Sequence, residues 1–232
     1  MKIKLAKEEI IHFVGIGGIG MSGLALIMKG LGFKIQGSDI ANNKNIERLK
    51  KNKIKIFLNQ KKNNIKKSTL LVISSAIKKN NPELIEAKKN KIPIYKRGEV
   101  LGHIVSLMKN IVVAGSHGKT TTTSLISGIF ANARLDPTII NGGVINSLGN
   151  SARLGKSDWC VLESDESDGS FLHLPATYSI VTNIDQEHMD YYKNIKNLKN
   201  KFISFIDNTP SFGKSFICID DINVKKIIKS LN

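Results

Sequence analysis

The sequence predicts an α/β protein, with a Rossmann-like N-terminal domain followed by a P-loop-type α/β nucleotide-binding domain. Three observations carry that expectation. Short apolar runs bounded by Gly, Ser and Asn alternate with segments whose apolar residues recur at helical spacing. The pattern G-x-G-x-x-G occupies Gly15 to Gly20, directly after the strand-like run Ile10 to Val14. A second strand-like run, Ile111 to Ala114, leads into Gly115-Ser116-His117-Gly118-Lys119-Thr120. The boundary falls near Lys109-Asn110, which gives domains 1–109 and 110–232.

In chain order, Ile10 to Val14 opens the first domain and the glycine turn follows. A helix then places Leu24, Ile27, Met28 and Leu31 on one face. Gly15, Gly17, Gly18 and Gly20 allow a tight turn and close approach of a diphosphate to the helix N-terminus. The strand Lys34 to Ser38 ends at Asp39, whose carboxylate can accept from a ribose or sugar hydroxyl. A polar helix (45–51), a strand (53–58) and a further strand (70–73) continue the alternation. The last of these ends in Ser74-Ser75, small residues at the carboxyl end of a strand, where open α/β sheets place ligands. Pro82 begins a helix to about Asn90, Ile92 to Tyr95 reads as a short strand, and Glu99 to Met108 as helical.

The second domain opens on a phosphate cradle. Backbone N–H groups of Gly115, Ser116, His117 and Gly118, with the helix N-terminus, face an anion. The Lys119 ammonium reaches the outer phosphates, and the Thr120 hydroxyl is placed to ligate the Mg²⁺ that accompanies ATP. The loop is shorter than G-x-x-x-x-G-K-[ST], because Val113 stands where the first glycine belongs. Thr120 to Thr123 are poor helix formers, and a nucleotide gives them a reason to be there. Leu125, Ile126, Ile129 and Phe130 then recur at helical spacing. Pro137 to Ile140 and Asp158 to Leu162 read as strands, the second leading to the acidic run Glu163, Asp165, Glu166, Asp168. Strand Tyr178 to Thr182 delivers Asn183, Asp185, Glu187, His188 and Asp190. Hard oxygen ligands beside a P-loop suit Mg²⁺. His103 and His173 lie among apolar residues and read as structural. An amphipathic helix from Ile195 and a strand, Ser215 to Ile219, follow, and one more helical turn or two comes after Asp220-Asp221.

Composition narrows the class. A chain of 232 residues with 41% hydrophobic residues can bury a core, and no apolar run approaches a membrane span, so no membrane insertion is expected. The net charge of +16 comes from Lys scattered among Asn and Ile with few aromatic residues interleaved, a solvated surface and not a nucleic-acid stripe. Cys160 and Cys218 both sit in strand-like runs and read as buried reduced thiols, which points to the cytoplasm.

Four stretches together resemble the Mur ligases: HFVGIGGIGMSGLA (His12 to Ala25), AGSHGKTTTT (Ala114 to Thr123), ESDESDGSFLHL (Glu163 to Leu174) and IVTNIDQEHMD (Ile180 to Asp190). The resemblance implies a UDP-N-acetylmuramate-binding first domain, with Gly15, Gly17, Gly18, Gly20, Asp39, Ser74 and Ser75 at the UDP-sugar. It implies a central ATP-binding domain that uses Gly115, Ser116, His117, Gly118, Lys119, Thr120 and Thr121. Lys119, Glu163 and His188 would carry catalysis, and Thr120, Glu163 and His188 would hold Mg²⁺. The implied reaction joins L-alanine to UDP-N-acetylmuramate at the expense of ATP, in peptidoglycan precursor synthesis. Ser116 replaces a commoner Thr, and Glu187 precedes His188 where Asp is usual. The family has a third, C-terminal domain, and the resemblance implies that this chain is truncated, ending inside or just after an incomplete central domain, so that a missing region or a separate chain would supply the rest. Two alternatives stand beside this reading: an NAD(P)-dependent oxidoreductase, from Gly15 to Gly20 and Asp39 alone, and a non-catalytic nucleotide-binding fragment.

Overall fold

The computed structural model of the chain describes residues 9–145, 150–164, 166–167 and 169–231. It divides into two compact units, one formed by residues 1–101 with 150–154, the other by 102–149 with 155–232.

In the first unit, β1 (Ile10–Val14), α1 (Ile19–Gly30), β2 (Lys34–Ser38), α2 (Lys44–Lys51), β3 (Lys55–Phe57), β4 (Leu70–Ile73), α3 (Pro82–Lys89) and β5 (Ile94–Lys96) alternate as expected. The helix α4 (Arg97–Val105) follows, and the division between units falls inside it, at Leu101. The five-stranded sheet has the order β3-β2-β1-β4-β5, with every pairing parallel. The chain runs outward from β1 to β3, then crosses back to β4. The topological switch therefore lies between the carboxyl ends of β1 and β4, where a doubly wound sheet opens a crevice. Phe13, Val14, Leu71 and Val72 are fully buried at its centre, because a parallel sheet is covered on both faces.

The third strand is shorter than its apolar run suggests. Lys53 takes a left-handed φ of 58°, and Ile54 N donates to Leu49 O, so residues 52–54 close the end of α2 before the strand can start. Likewise Asn110 Nδ2 donates to Val105 O and Met108 O, which closes α4 ahead of Met108.

The second unit contains β6 (Lys109–Ala114), α5 (Lys119–Asn132), β7 (Thr138–Ile145), β9 (Trp159–Glu163), β10 (Tyr178–Val181), α6 (Met189–Tyr192), α7 (Ile195–Asp207), β11 (Lys214–Ile217) and α8 (Ile222–Ile227). The strand between β7 and β9, β8 (Asn150–Arg153), groups with the first unit. From the edge inward the order is β11-β10-β6-β9-β7, again parallel. The strand that feeds the P-loop is thus central, flanked by β9, which ends at Glu163, and by β10, which leads to Thr182 and Asn183. On one side Leu198, Phe202 and Phe205 of α7 pack with Phe171, whose ring centroid is 5.2 Å from that of Phe202.

Two expectations change here. Along α5 the large apolar residues do not all face the sheet: Leu125 and Ile129 are 65% and 66% exposed, whereas Thr123 and Ser127 are buried. The Ser127 hydroxyl is satisfied by Thr123 O at 2.7 Å, so a small polar face is accommodated against the sheet. Cys160 is buried as expected, and burial pushes its thiol up to about 12. Cys218 is exposed, because it lies just beyond the edge strand β11, where one face has no neighbouring strand.

Candidate active site

The glycine turn of the first unit is held by backbone bonds to the end of β2. Gly15 N and Ile16 N both donate to Ser38 O, at 2.8 and 3.0 Å. Gly17 N donates to Asp39 Oδ2 at 2.7 Å, and Ala41 N to Asp39 Oδ1 at 3.1 Å. The carboxylate read from sequence as a sugar acceptor is therefore spent first on pinning the turn. Asn43 and Asn45 donate to Gly17 O, a role the sequence did not suggest. Helix α1 has no acidic residue in its first turn, which leaves its positive end open to an anion. Arg97 was missed as well: a Cβ added at Gly20 would lie 3.1 Å from its guanidinium, so the cation sits over the turn. Ser74 comes within the same neighbourhood, its Cβ 3.4 Å from where a Gly15 Cβ would be, and Ser75 is exposed beside it.

In the second unit the P-loop is fastened to β10. Ser116 N donates to Asn183 O, His117 N to Asn183 Oδ1, and Asn183 Nδ2 back to His117 O. Thr182 Oγ1 also donates to His117 O. The amides of Ser116 and His117 thus point at the sheet, and the cradle consists of the later ones, from the left-handed Gly118 into α5. A side chain at Gly115 is excluded twice over, by a φ of 138° and by Thr182 Oγ1 only 2.0 Å from the Cβ position. Asn183 appeared in the sequence only as one of several polar residues after a strand; its bracing role depends on β10 lying next to β6.

Lys119 Nζ bends back to donate to Gly115 O (2.6 Å) and Ser116 O (3.1 Å) and pairs with Glu166 Oε1 at 2.9 Å. Glu166 is 2% exposed and accepts, through its carbonyl, from the Tyr192 hydroxyl. Thr120 Oγ1 donates to Glu163 Oε2 at 2.9 Å, joining the start of α5 to the end of β9. His188 stands at a left-handed φ of 56°, and its Nε2 is 3.7 Å from Glu166 Oε1. Glu166, Glu187 and His188 each bring one donor atom within 4.8 Å of the others. The predicted ligands therefore fall into two groups, Thr120 with Glu163, and His188 with Glu166 and Glu187. Asp165 and Asp168 of the acidic run lie outside the described residues. The carboxylate oxygens in both groups are the hard donors that Mg²⁺ prefers. His117 places Nε2 3.2 Å from Asp185 Oδ2 and Nδ1 3.8 Å from Glu187 Oε1. The Gln186 amide, and after it His117, hold the Asp185 carboxyl below its ordinary range. His103 and His173 are exposed and stand apart from this cluster.

A parallel sheet with a P-loop at its centre, preceded by a doubly wound unit with a glycine turn, is a combination found in known proteins. The Mur ligase family, catalytic domain, matches residues 10–109, and the Mur ligase middle domain matches 113–232. The chain belongs to the Mur ligase family. As a Mur ligase it is 71% identical over its whole length to a UDP-N-acetylmuramate–L-alanine ligase of Pelagibacter ubique, covering 50% of that protein. It is 52% identical to the ligase of the same name from Rickettsia prowazekii, over 95% of this chain and 45% of that one. The chain spans about half the length of the curated relatives it matches. Among solved structures, the UDP-N-acetylmuramate-alanine ligase of Thermotoga maritima superimposes with a TM-score of 0.83 at 29% identity, over 94% of this chain and 50% of that chain. A UDP-N-acetylmuramate:L-alanyl-γ-D-glutamyl-meso-diaminopimelate ligase from Neisseria gives 0.86 at 26% identity, over 96% and 75%. Membership in this family leaves the oxidoreductase reading of the glycine turn without support. Among the described residues no helix is long and apolar enough to cross a membrane.

Proposed function

We propose that this chain forms the UDP-N-acetylmuramate-binding and ATP-binding parts of a ligase that joins L-alanine to UDP-N-acetylmuramate in the cytoplasm, for peptidoglycan precursor synthesis. The observation that carries the reading is the pairing of Lys119 with Glu166 and of Thr120 with Glu163 around a P-loop at the centre of the sheet. The names of the relatives supply the substrates. The N-terminal domain read from the sequence, residues 1–109, takes the UDP-sugar. Its diphosphate lies at the first turn of α1 against Gly15 to Gly20, with Arg97 as counter-charge and Ser74 and Ser75 on the far side of the crevice.

In the second unit ATP lies along Gly115 to Thr121, and the Lys119 ammonium moves from Glu166 to the outer phosphates. The muramyl carboxylate attacks the γ-phosphorus as the bond to the departing ADP oxygen breaks, giving an acyl phosphate. The amine of L-alanine then attacks the acyl carbon, phosphate leaves, and the amine's surplus proton passes to solvent or a nearby base. Lys119 and the amides of the first turn of α5 stabilise charge on the transferring group and hold it in line. Thr120 with Glu163, and His188 with Glu166 and Glu187, would hold Mg²⁺, which would supply neutralisation of phosphate charge. Calorimetric titration of the chain with Mg-ATP and with UDP-N-acetylmuramate tests the reading. Saturable binding of both is expected, and saturable NAD⁺ binding with no response to the UDP-sugar would reverse it.

A further inference from the structure

The first unit buries a carboxylate and an imidazole that this chemistry does not use. Glu83 and His12 are both 0% exposed. Glu83 stands in the first turn of α3, where Asn81 Oδ1 accepts from its backbone N–H and from that of Leu84. Its Oε2 accepts from the Ser38 hydroxyl at 2.5 Å and its Oε1 from Asn64 Nδ2 at 2.6 Å. His12 Nε2 lies 3.5 Å from the same Oε1. On the other side of the ring, Gln36 Nε2 is 3.2 Å from His12 Nδ1 and also reaches Asn64 O and Ser68 Oγ. A buried carboxylate is costly unless donors surround it, and an apolar residue of similar size would fill this space more cheaply. Here the donors are the Ser38 hydroxyl and the Asn64 amide, so the Glu83 side chain ties the end of β2 to the start of α3.

Ser38 is the link. The carbonyl of this residue accepts from Gly15 N and Ile16 N, and the next residue, Asp39, accepts from Gly17 N. Three successive amides of the glycine turn are thereby fixed to the end of β2, which sets the direction in which the first-turn amides of α1 point. The end of β2 has no slack: a Cβ at Gly37 would lie 2.6 Å from both Phe13 O and Ile16 Cδ1. Any shift of Ser38 is therefore passed to the turn.

We propose that Glu83 is a positioning residue for the diphosphate: by gripping the Ser38 hydroxyl it sets the turn and so the affinity for the UDP-sugar. The proposal rests on reading that turn as the UDP-sugar site. The test uses the full chain carrying Glu83→Gln, Ser38→Ala or both, with three readouts: UDP-N-acetylmuramate affinity, Mg-ATP affinity, and hydrogen exchange of the Gly15, Ile16 and Gly17 amides. We expect each single variant to weaken the UDP-sugar about tenfold or more and to speed exchange of those amides by a similar factor. Mg-ATP affinity should stay at the parental value, and the double variant should be no worse than the poorer single one, because both remove the same link. Parental UDP-sugar affinity and amide exchange in Glu83→Gln would overturn the proposal. So would equal losses of UDP-sugar and Mg-ATP binding, the mark of a general structural defect. If the parental chain does not bind the UDP-sugar at all, the substrate assignment fails, and the exchange rates still decide whether Glu83 governs the turn. Should Glu83→Gln not fold, Ser38→Ala carries the same comparison.

Discussion

At the scale of single residues, Lys119 is the fixed positive charge of the second site, and in this structure it rests on Glu166 and on loop carbonyls. We expect Lys119→Ala to lower ATP affinity or turnover by about 10²-fold or more, read by titration or phosphate release, with an unchanged circular dichroism spectrum. Glu163→Gln and His188→Ala should each weaken Mg²⁺-dependent ATP binding, whereas His173→Ala should not, since His173 is exposed and outside the carboxylate cluster. Equal effects of all three on a Mg²⁺ titration would show that the acidic run is only a solvated loop. The cysteines give an independent check. Cys160, with its thiol pushed up to about 12 by burial, should stay unmodified by a thiol reagent at neutral pH while Cys218 reacts, so mass spectrometry of the native chain should find a single adduct. Much of the site was legible in the sequence because its parts are local: Gly118, Lys119 and Thr120 are consecutive, and Glu163 ends an apolar run. What was not legible is long-range. Asn183 braces the P-loop and Glu166 receives Lys119 only because strands distant in sequence lie side by side, and Arg97 reaches Gly20 from the far end of the chain's first sheet.

At the scale of elements, the positions of β1, β2, β4, β6, β9 and β10 could be read from apolar runs, since buried parallel strands leave little else to read. Their order could not, because it is set by which helices cover which face. Helix α5 shows the limit of periodicity: Leu125 and Ile129 lie on its exposed side and Thr123 and Ser127 on its buried side. We therefore expect Leu125→Lys to change stability by no more than about 0.5 kcal/mol. Phe202→Ala in α7, which removes a fully buried ring packed against Phe171, should cost about 3–5 kcal/mol. Denaturant unfolding of the two variants separates these cases, and a large loss for Leu125→Lys would mean that this face of α5 is covered in solution.

At the scale of the molecule, the chain carries the residues proposed to contact phosphate and metal but spans about half the length of its curated relatives. Orienting an amine against an acyl phosphate can be worth about 7–11 kcal/mol of barrier. We expect this 232-residue chain by itself to release little phosphate in the presence of ATP, UDP-N-acetylmuramate and L-alanine. Turnover within the ordinary enzyme range of about 1–10³ s⁻¹ would show that the matched half suffices. The return of residues 150–154 to the first unit has a further consequence, for the chain as it is made. A ribosome that has released the first hundred residues has not yet supplied Leu154, whose side chain comes against Gly30 at the end of α1. At about 5–20 residues per second, several seconds pass before it emerges, and in that interval β6, the P-loop and α5 are already out. The two units are thus completed in an interleaved order during synthesis, and a gene cut between them at the P-loop strand would deliver a first unit that never receives its last segment.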